Sequence, residues 1–151
     1  ITINTGAVEN KEIIKELSNN FGSQALVLSI QAKRYKNEWN VMTYNGREKN
    51  NIRVESWIEI AQELGIGEIM LTSIDQEGTG LGFDLQLLNL IKQISKVSVI
   101  CSGGIGNYKQ AKDCFDNGAD AIACARSFHY NEMCINGLKK YLLEENISVV
   151  M

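Results

Sequence analysis

Hydrophobic residues along the chain alternate between short continuous runs and the three-to-four spacing of a buried helix face. The continuous runs predict five strands, at residues 1–3, 25–30, 68–72, 97–101 and 121–124. The helical spacing predicts five helices, at residues 10–21, 54–64, 84–94, 108–115 and 132–145. Strands that alternate with helices through short connections form βαβ units, so we predict an α/β fold with a parallel sheet.

Two helix-to-strand joints repeat one pattern, in which a glycine ends a helix and an acidic residue precedes an apolar strand. The joints are residues 65–69 and 118–122, which is internal repetition at about 50 residues. Five strands and five helices are too few to close a (βα)₈ barrel of about 250 residues. We therefore predict that residues 1–151 form half of a TIM-type barrel domain, and that Ile1 lies within a strand whose beginning is missing.

A polar stretch from residue 33 to residue 53 interrupts this alternation. Trp39, Val41 and Thr43 alternate with other residues, and Asn45-Gly46 is a common hairpin-turn pair. We interpret the stretch as a decorated loop.

Composition narrows the class of protein. With 44% hydrophobic and 22% charged residues and a net charge of −3, the chain is typical of a globular domain. Its basic residues are scattered, which argues against a nucleic-acid partner. No apolar run approaches the roughly 20 residues that span a bilayer, so we expect no membrane association and a cytoplasmic location.

The four cysteines form no C-x-x-C pair, and the chain has a single histidine, His129. We interpret Cys101, Cys114, Cys124 and Cys134 as buried thiols. We expect no metal site and no cofactor.

In a barrel of this type, the loops after the strands build the active site. Ser102-Gly103-Gly104 follows one strand, and backbone without side chains can bring N–H groups against phosphate oxygens. Taken alone, this tripeptide is equally typical of a plain turn. The next strand ends in the small residues Cys124 and Ala125, with a short helix predicted to begin near Arg126. Two such adjacent loops predict a phosphate site.

Asp75 and Glu77 lie just beyond the strand at residues 68–72. Two carboxylates there could transfer protons or bind polyol hydroxyls, and the alternative is a solvated acidic turn. His129 lies between Phe128 and Tyr130, where a structural role is the more common outcome.

Several stretches together resemble one family, the cyclase subunit of imidazole glycerol phosphate synthase. They occur in the family's order and spacing, at residues 3–10, 21–25, 32–34, 67–69 with 71–75, 102–104 and 128–130. The resemblance covers essentially the whole chain. It implies that the chain is the C-terminal half of a (βα)₈ barrel, from the end of strand four to the final helix.

The resemblance also implies an activity in histidine biosynthesis. In this family a glutaminase partner supplies ammonia, which converts a phosphoribulosyl aminoimidazole-carboxamide nucleotide into imidazole glycerol phosphate and an aminoimidazole-carboxamide ribotide. Substrate-lining positions are carried over to Asn4, Thr72 and Gly78, beside the predicted phosphate loop. The family's charged ammonia gate corresponds to Glu68, with Phe21 and Gln24 on the partner face; the alternative is that Glu68 merely begins a strand and is solvated.

Three residues depart from the family pattern. Gln31 replaces the strand-five aspartate, one of two carboxylates credited with acid–base work, and an amide cannot exchange a proton near neutral pH. Glu77 replaces an aspartate, and Arg126 replaces a serine of the phosphate loop. Arginine could bind phosphate in a bidentate manner but needs more room.

These departures keep two other functions open. One is that of the family's paralogues that amidate sugars for surface polysaccharides, which the segment 75–78 also resembles. The other is a non-catalytic phosphate-binding scaffold, which Gln31 suggests. Because the family's other catalytic aspartate belongs to its first strand, we expect residues 1–151 to be inactive alone. We also expect them to self-associate or to pair with the missing half.

Overall fold

The computed structural model describes residues 1–150, which form a seven-stranded sheet and seven α-helices. The strands are β1 (Thr2–Ile3), β2 (Val27–Tyr35), β3 (Glu38–Thr43), β4 (Glu48–Arg53), β5 (Glu68–Ser73), β6 (Ser98–Ser102) and β7 (Ala121–Ala123). The helices are α1 (Thr5–Glu9), α2 (Glu12–Phe21), α3 (Val54–Leu64), α4 (Leu85–Ile94), α5 (Tyr108–Asp116), α6 (Arg126–His129) and α7 (Ile135–Glu144). A short 3₁₀ helix, Ser23–Ala25, precedes β2.

Strands β1, β2, β5, β6 and β7 are mutually parallel and correspond to the five strands predicted from the apolar runs. The sheet runs in the order β4-β3-β2-β5-β6-β7, and β1 pairs with the beginning of β2 beside β3. The predicted parallel α/β fold is confirmed.

The interpretation of residues 33–53 as a loop is wrong. Strand β2 continues to Tyr35, and β3 and β4 add to it as an antiparallel hairpin. The hairpin turn falls at the predicted Asn45-Gly46 pair, where both residues have positive φ, at 59° and 78°. The strands were not predicted because most residues of β4 are exposed, so the stretch has a polar composition and β4 has no apolar run.

The five predicted helices are confirmed as α2, α3, α4, α5 and α7, with shifted ends. Helix α2 begins at Glu12 rather than at Asn10, because residues 5–9 form the separate helix α1. Helix α7 begins at Ile135 rather than near residue 132, because Cys134 caps it. The short helix expected near Arg126 is α6.

The two faces of the parallel sheet have different environments. One face carries the fully buried side chains of Leu28, Ile30, Ile69, Leu71 and Val99, which pack in the same core as the helices. The other face is mostly half-buried, and its side chains follow the strand register in layers. The layers comprise Val27, Glu68 and Ser98, then Ser29, Met70 and Ile100, then Gln31, Thr72 and Ser102.

Side chains in layers on one face of a parallel sheet, with helices on the other face, are the arrangement of a TIM-type barrel. The layer of Gln31, Thr72 and Ser102 is nearest the carboxyl ends of the strands. The layer of Val27, Glu68 and Ser98 is nearest the amino ends. The fold therefore sorts the residues of interest between two ends of the sheet.

The repeated helix-to-strand joints adopt one geometry. Gly65 and Gly118 end their helices with φ of 101° and 91°, in the left-handed region that glycine adopts at least cost. In each joint a backbone N–H then donates toward the neighbouring parallel strand: Gly67 donates at 3.1 Å to Leu26, the residue before β2, and Asp120 donates at 2.9 Å to Val99 of β6.

Cys101 and Cys114 are buried, as predicted, but Cys124 is half-buried and Cys134 is exposed. The prediction of a buried thiol is wrong for Cys134 because that residue starts a helix. Its Sγ accepts a hydrogen bond of 3.3 Å from the N–H of Gly137. No helix within residues 1–150 has the length and apolar character needed to cross a membrane.

Candidate functional site

A cavity of about 270 Å³ lies at the carboxyl ends of β6 and β7. Its walls come from the loop after β5, the glycine loop after β6 and the segment after β7. The lining residues are Glu77, Gly78, Ser102, Gly103, Gly104, Ile105, Ala123, Cys124, Ala125 and Arg126. The structure thus brings the two predicted phosphate loops together around one space.

The glycine loop packs tightly against the loop after β5. Gly103 and Gly104 have φ of 98° and 87°, and a Cβ on Gly104 would lie 2.2 Å from the carbonyl oxygen of Gly82. The N–H of Gly82 donates to the carbonyl of Gly104 at 2.7 Å. No residue larger than glycine fits at Gly104 without moving backbone, so the loop is held in one conformation.

Backbone donors around the cavity are free to bind a ligand. Outside the helices and strands, no backbone carbonyl of residues 1–150 accepts from the N–H of Gly103, Gly104 or Ala125. Of these residues Gly104 is buried, Gly103 is half-buried and Ala125 is exposed. A phosphate oxygen in the cavity could accept from such N–H groups. Helix α5 begins only at Tyr108, four residues beyond Gly104, so the donors belong to the loop.

Arg126 is the only basic residue that lines the cavity. Its Nη1 lies 2.5 Å from Oε2 of Glu132, and its guanidinium lies 5.5 Å from the ring centre of Tyr130. A Cβ on Gly80 would lie 2.8 Å from the same Nη1. Arg126 therefore lies between the loop after β5 and the segment after α6.

The Cys124 thiol also lines the cavity. Burial raises the pKa of Cys124 to about 11. The thiol is therefore protonated near neutral pH and is a poor nucleophile.

Two side-chain amides meet beside the layer of Gln31, Thr72 and Ser102. Nδ2 of Asn4 donates to Oε1 of Gln31 at 3.1 Å and approaches the carbonyl of Met42 at 3.5 Å. Oδ1 of Asn4 is buried and has no hydrogen-bond partner within residues 1–150. Thr72, 6% exposed, is the in-register neighbour of Gln31 on β5. Gln31, the candidate catalytic position, thus contacts the predicted substrate-lining Asn4 and is paired in register with the predicted substrate-lining Thr72.

The two predicted carboxylates have different surroundings. Glu77 lines the cavity, whereas Asp75 is not among its lining residues. Oδ2 of Asp75 accepts a hydrogen bond of 2.7 Å from the backbone N–H of Arg34, at the end of β2. The acidic turn is therefore tied to the hairpin through Asp75.

The hairpin contacts were not predicted from the sequence. Nε1 of the buried Trp39 donates to Oδ2 of Asp84 at 2.9 Å, while Oδ1 of Asp84 caps α4. The hydroxyl of Tyr44 donates to Glu9. The alternation of Trp39, Val41 and Thr43 and the Asn45-Gly46 turn were the signals for the hairpin, whereas its contacts depend on tertiary packing.

Glu68, Phe21 and Gln24 lie at the opposite end of the sheet. Glu68 opens β5 and is half-buried in the layer nearest the amino ends. Phe21 is 56% exposed at the end of α2, and Nε2 of Gln24 donates to its carbonyl at 3.4 Å. These residues are separated from the cavity by the length of the strands.

His129 is exposed on α6 and contacts the Tyr130 ring edge-on, with 5.1 Å between ring centres. It does not line the cavity. Residues 1–150 contain no cluster of three or more His, Cys, Asp or Glu side chains that could hold a metal ion.

The parallel sheet and its layered face define a TIM-type barrel protein with a candidate site at the carboxyl ends of the strands. The family model described as "Histidine biosynthesis protein" matches residues 1–134. The chain belongs to this family.

Curated relatives extend the comparison. The chain is 38% identical over 149 residues to imidazole glycerol phosphate synthase subunit HisF of Thermotoga sp. (strain RQ2). It is 43% and 41% identical over 152 residues to the proteins of the same name from Clostridium beijerinckii and Clostridium botulinum. Each comparison covers 99% of this chain but only 59% or 60% of the relative.

Proposed function

We propose that residues 1–151 are the C-terminal half of the barrel of an imidazole glycerol phosphate synthase cyclase subunit. The protein would use ammonia to convert a phosphoribulosyl aminoimidazole-carboxamide nucleotide into imidazole glycerol phosphate and aminoimidazole-carboxamide ribotide. The proposal draws on the similarity to the HisF proteins and on the cavity at the carboxyl ends of β6 and β7.

The cavity is the observation that carries the proposal. Two loops from adjacent strands surround it, and the N–H groups of Gly103, Gly104 and Ala125 donate to no backbone carbonyl within residues 1–150 outside the helices and strands. Such donors, together with the Arg126 guanidinium, suit one terminal phosphate of the substrate. The Ser102 hydroxyl would add a further donor.

The remaining roles follow from the positions of the side chains. Asn4, Gln31 and Thr72 would bind the substrate beside the phosphate, with Gly78 providing space. Glu77, exposed at the cavity, is the carboxylate better placed to exchange a proton. Asp75 would act mainly by fixing the loop, because its carboxylate is bonded to Arg34. Gln31 can orient a substrate but cannot transfer a proton.

A glutaminase partner would bind at the amino ends of the strands. The exposed ring of Phe21 and the side chain of Gln24 offer an apolar and polar contact there. Glu68, half-buried in the nearest layer, would line the entry for ammonia.

The Gln31 amide favours a second candidate. It is bonded to Asn4 where the family has an aspartate, so the site lacks one proton-transferring group. That change fits a paralogue that amidates a sugar, or a scaffold that binds phosphate without turnover.

Binding and turnover assays separate these functions. We expect the complete protein, with the N-terminal half of the barrel present and supplied with ammonium salts, to turn over the diphosphorylated nucleotide. Tight binding without turnover would favour the scaffold, and ammonia-dependent amidation of a sugar, with no turnover of the nucleotide, would favour the paralogue. For the phosphate site, Gly103→Ala should weaken binding of inorganic phosphate, because a Cβ there would lie 3.0 Å from the carbonyl of Ser73 at a φ of 98°. Gly6→Ala is the control, because a Cβ at Gly6 meets nothing within 4 Å.

A further inference from the structure

The Arg126–Glu132 ion pair adjoins the cavity that we propose for phosphate. Nη1 of Arg126 and Oε2 of Glu132 lie 2.5 Å apart, and the two side chains are 36% and 33% exposed. The pair is partly shielded from solvent, so the attraction between its charges is less screened than in a fully exposed pair. Arg126 and Glu132 flank the short segment 127–131, and the ion pair joins the two ends of that segment.

The charges around the cavity do not favour an anion in the present arrangement. Arg126 is its one basic lining residue, Glu77 is its acidic lining residue, and Glu132 already neutralises Arg126. A phosphate would therefore meet an arginine whose charge is compensated. It can gain the full charge-assisted hydrogen bond only if the guanidinium leaves Glu132.

The surroundings of Arg126 limit where its guanidinium can move. Gly80 approaches it closely from the loop after β5, and the Tyr130 ring lies 5.5 Å away. A side chain at Gly80 would occupy the space of Nη1. The guanidinium is thus held between the cavity and Glu132.

We infer that Glu132 is an internal counter-ion that competes with the ligand's terminal phosphate for Arg126 and so lowers the phosphate affinity of the site. This inference rests on the proposed phosphate cavity. Glu132 is a positioning residue: it acts through Arg126. A phosphate that displaces it forms the new pair with Arg126, and the Glu132 carboxylate is released to solvent.

The test is a double-mutant cycle on the purified protein, with the dissociation constant of inorganic phosphate measured by calorimetry at pH 7.5. Glu132→Gln keeps the size of the side chain and removes its charge. We expect it to tighten phosphate binding about fivefold, as for the loss of a partly screened ion pair of about 1 kcal/mol. Arg126→Ser should weaken binding, and Glu132→Gln should have no further effect in that background. Arg126→Lys should retain part of the affinity.

The control is Glu144→Gln, which makes the same charge change at the exposed Lys140–Glu144 pair. It should leave phosphate affinity unchanged. If Glu132→Gln binds phosphate as wild type does, or less tightly, or if its effect persists without Arg126, the competition is refuted. If no variant binds phosphate, Glu132→Gln included, the proposed phosphate cavity itself fails.

Discussion

Asn4 and Gln31 are joined by a hydrogen bond of 3.1 Å between their side-chain amides, from Nδ2 of Asn4 to Oε1 of Gln31. The bond links the residue before α1 to the layer at the carboxyl ends of the strands. An aspartate at position 31 could accept from the same Nδ2, because both side chains offer an sp² oxygen. The amide therefore preserves an acceptor but lacks a group that can take up and release a proton.

In the complete protein, with the N-terminal half of the barrel present, Gln31→Asp is expected to raise cyclase turnover if the protein acts on the histidine-pathway nucleotide. The reason is that a carboxylate restores a titratable group beside Thr72. The measurement is kcat with ammonium salts and the authentic nucleotide. Gln31→Asn, which shortens the side chain equally but stays an amide, should bring no gain. A protein that binds the nucleotide equally well in both forms, without faster turnover, would favour the sugar-amidating function.

Glu68→Gln is expected to disturb glutamine-dependent activity and to leave activity with free ammonium salts intact. Glu68 lies in the layer nearest the amino ends of the strands, away from the cavity. Both activities are measured with the glutaminase subunit present. Glu59→Gln, at an exposed position of α3, is the matched control. Equal losses in the two assays would show that Glu68 is not a gate.

Replacing each of the two tryptophans by phenylalanine should lower the stability of the fold by different amounts. Trp39→Phe removes the donor to Asp84 and leaves a partly buried carboxylate oxygen without it, at a cost of about 1–3 kcal/mol. Nε1 of Trp57 is buried and finds no partner within residues 1–150, so Trp57→Phe removes no such bond. Urea unfolding measures the free energy of unfolding of both variants, and Trp39→Phe should be the less stable of the two. A Trp57 variant less stable than the Trp39 variant would show that packing outweighs the Trp39–Asp84 bond.

Strands β2, β5 and β6 could be predicted because each carries buried apolar side chains within an apolar run. The buried side chains include those of Leu28, Ile30, Ile69 and Leu71, which belong to continuous apolar runs. A strand with one face in solvent would alternate apolar and polar residues instead. The convergence of the two phosphate loops also followed from the sequence, since parallel strands in sequence order place their carboxyl ends at one edge.

The hairpin, the Arg126–Glu132 ion pair and the hydrogen bond from the Arg34 backbone N–H to Asp75 could not be predicted in the same way. In β4 only Asn50 and Ile52 are half-buried, so the strand has no apolar run. The pairing of Arg126 with Glu132 depends on the path of the chain through α6, and that of Asp75 with Arg34 on where β2 ends. The spacing of residues along one sequence indicates neither of these two contacts.

Asp120→Asn is expected to lower stability at neutral pH and to have little effect in acid. Although burial raises it, the hydrogen bond from the Val99 N–H and the Lys92 ammonium hold the pKa of Asp120 below its usual 3.8. A carboxyl with a lowered folded-state pKa contributes stability above its unfolded value, and that stability is lost as pH falls through the lower folded value. The side chain is 45% exposed, so solvent screening limits the effect to about 1 kcal/mol or less.

Urea unfolding of wild type and Asp120→Asn at pH 7 and at pH 3 measures this dependence. Asp116→Asn, at the exposed Lys112–Asp116 pair, is the control and should change stability less. A stability difference that is the same at both pH values would contradict the assignment to the charged carboxylate.

Residues 1–151, taken as a polypeptide by themselves, are expected to associate. Strand β7 is a lateral edge of the sheet with unpaired backbone groups, and β1 with the hairpin forms the other side. The face that carries Val27, Met70 and Ile100 is only half-buried. Its layers also contain Thr72 and three serines, so this face is more polar than the apolar runs of the sequence suggested. If about 200 Å² of apolar surface there were covered by a second copy, the gain at about 25 cal/mol per Å² would be about 5 kcal/mol, comparable with the stability of a domain. Light scattering at micromolar concentration checks this, and a monodisperse monomer that unfolds cooperatively would show that the half-barrel closes its own core.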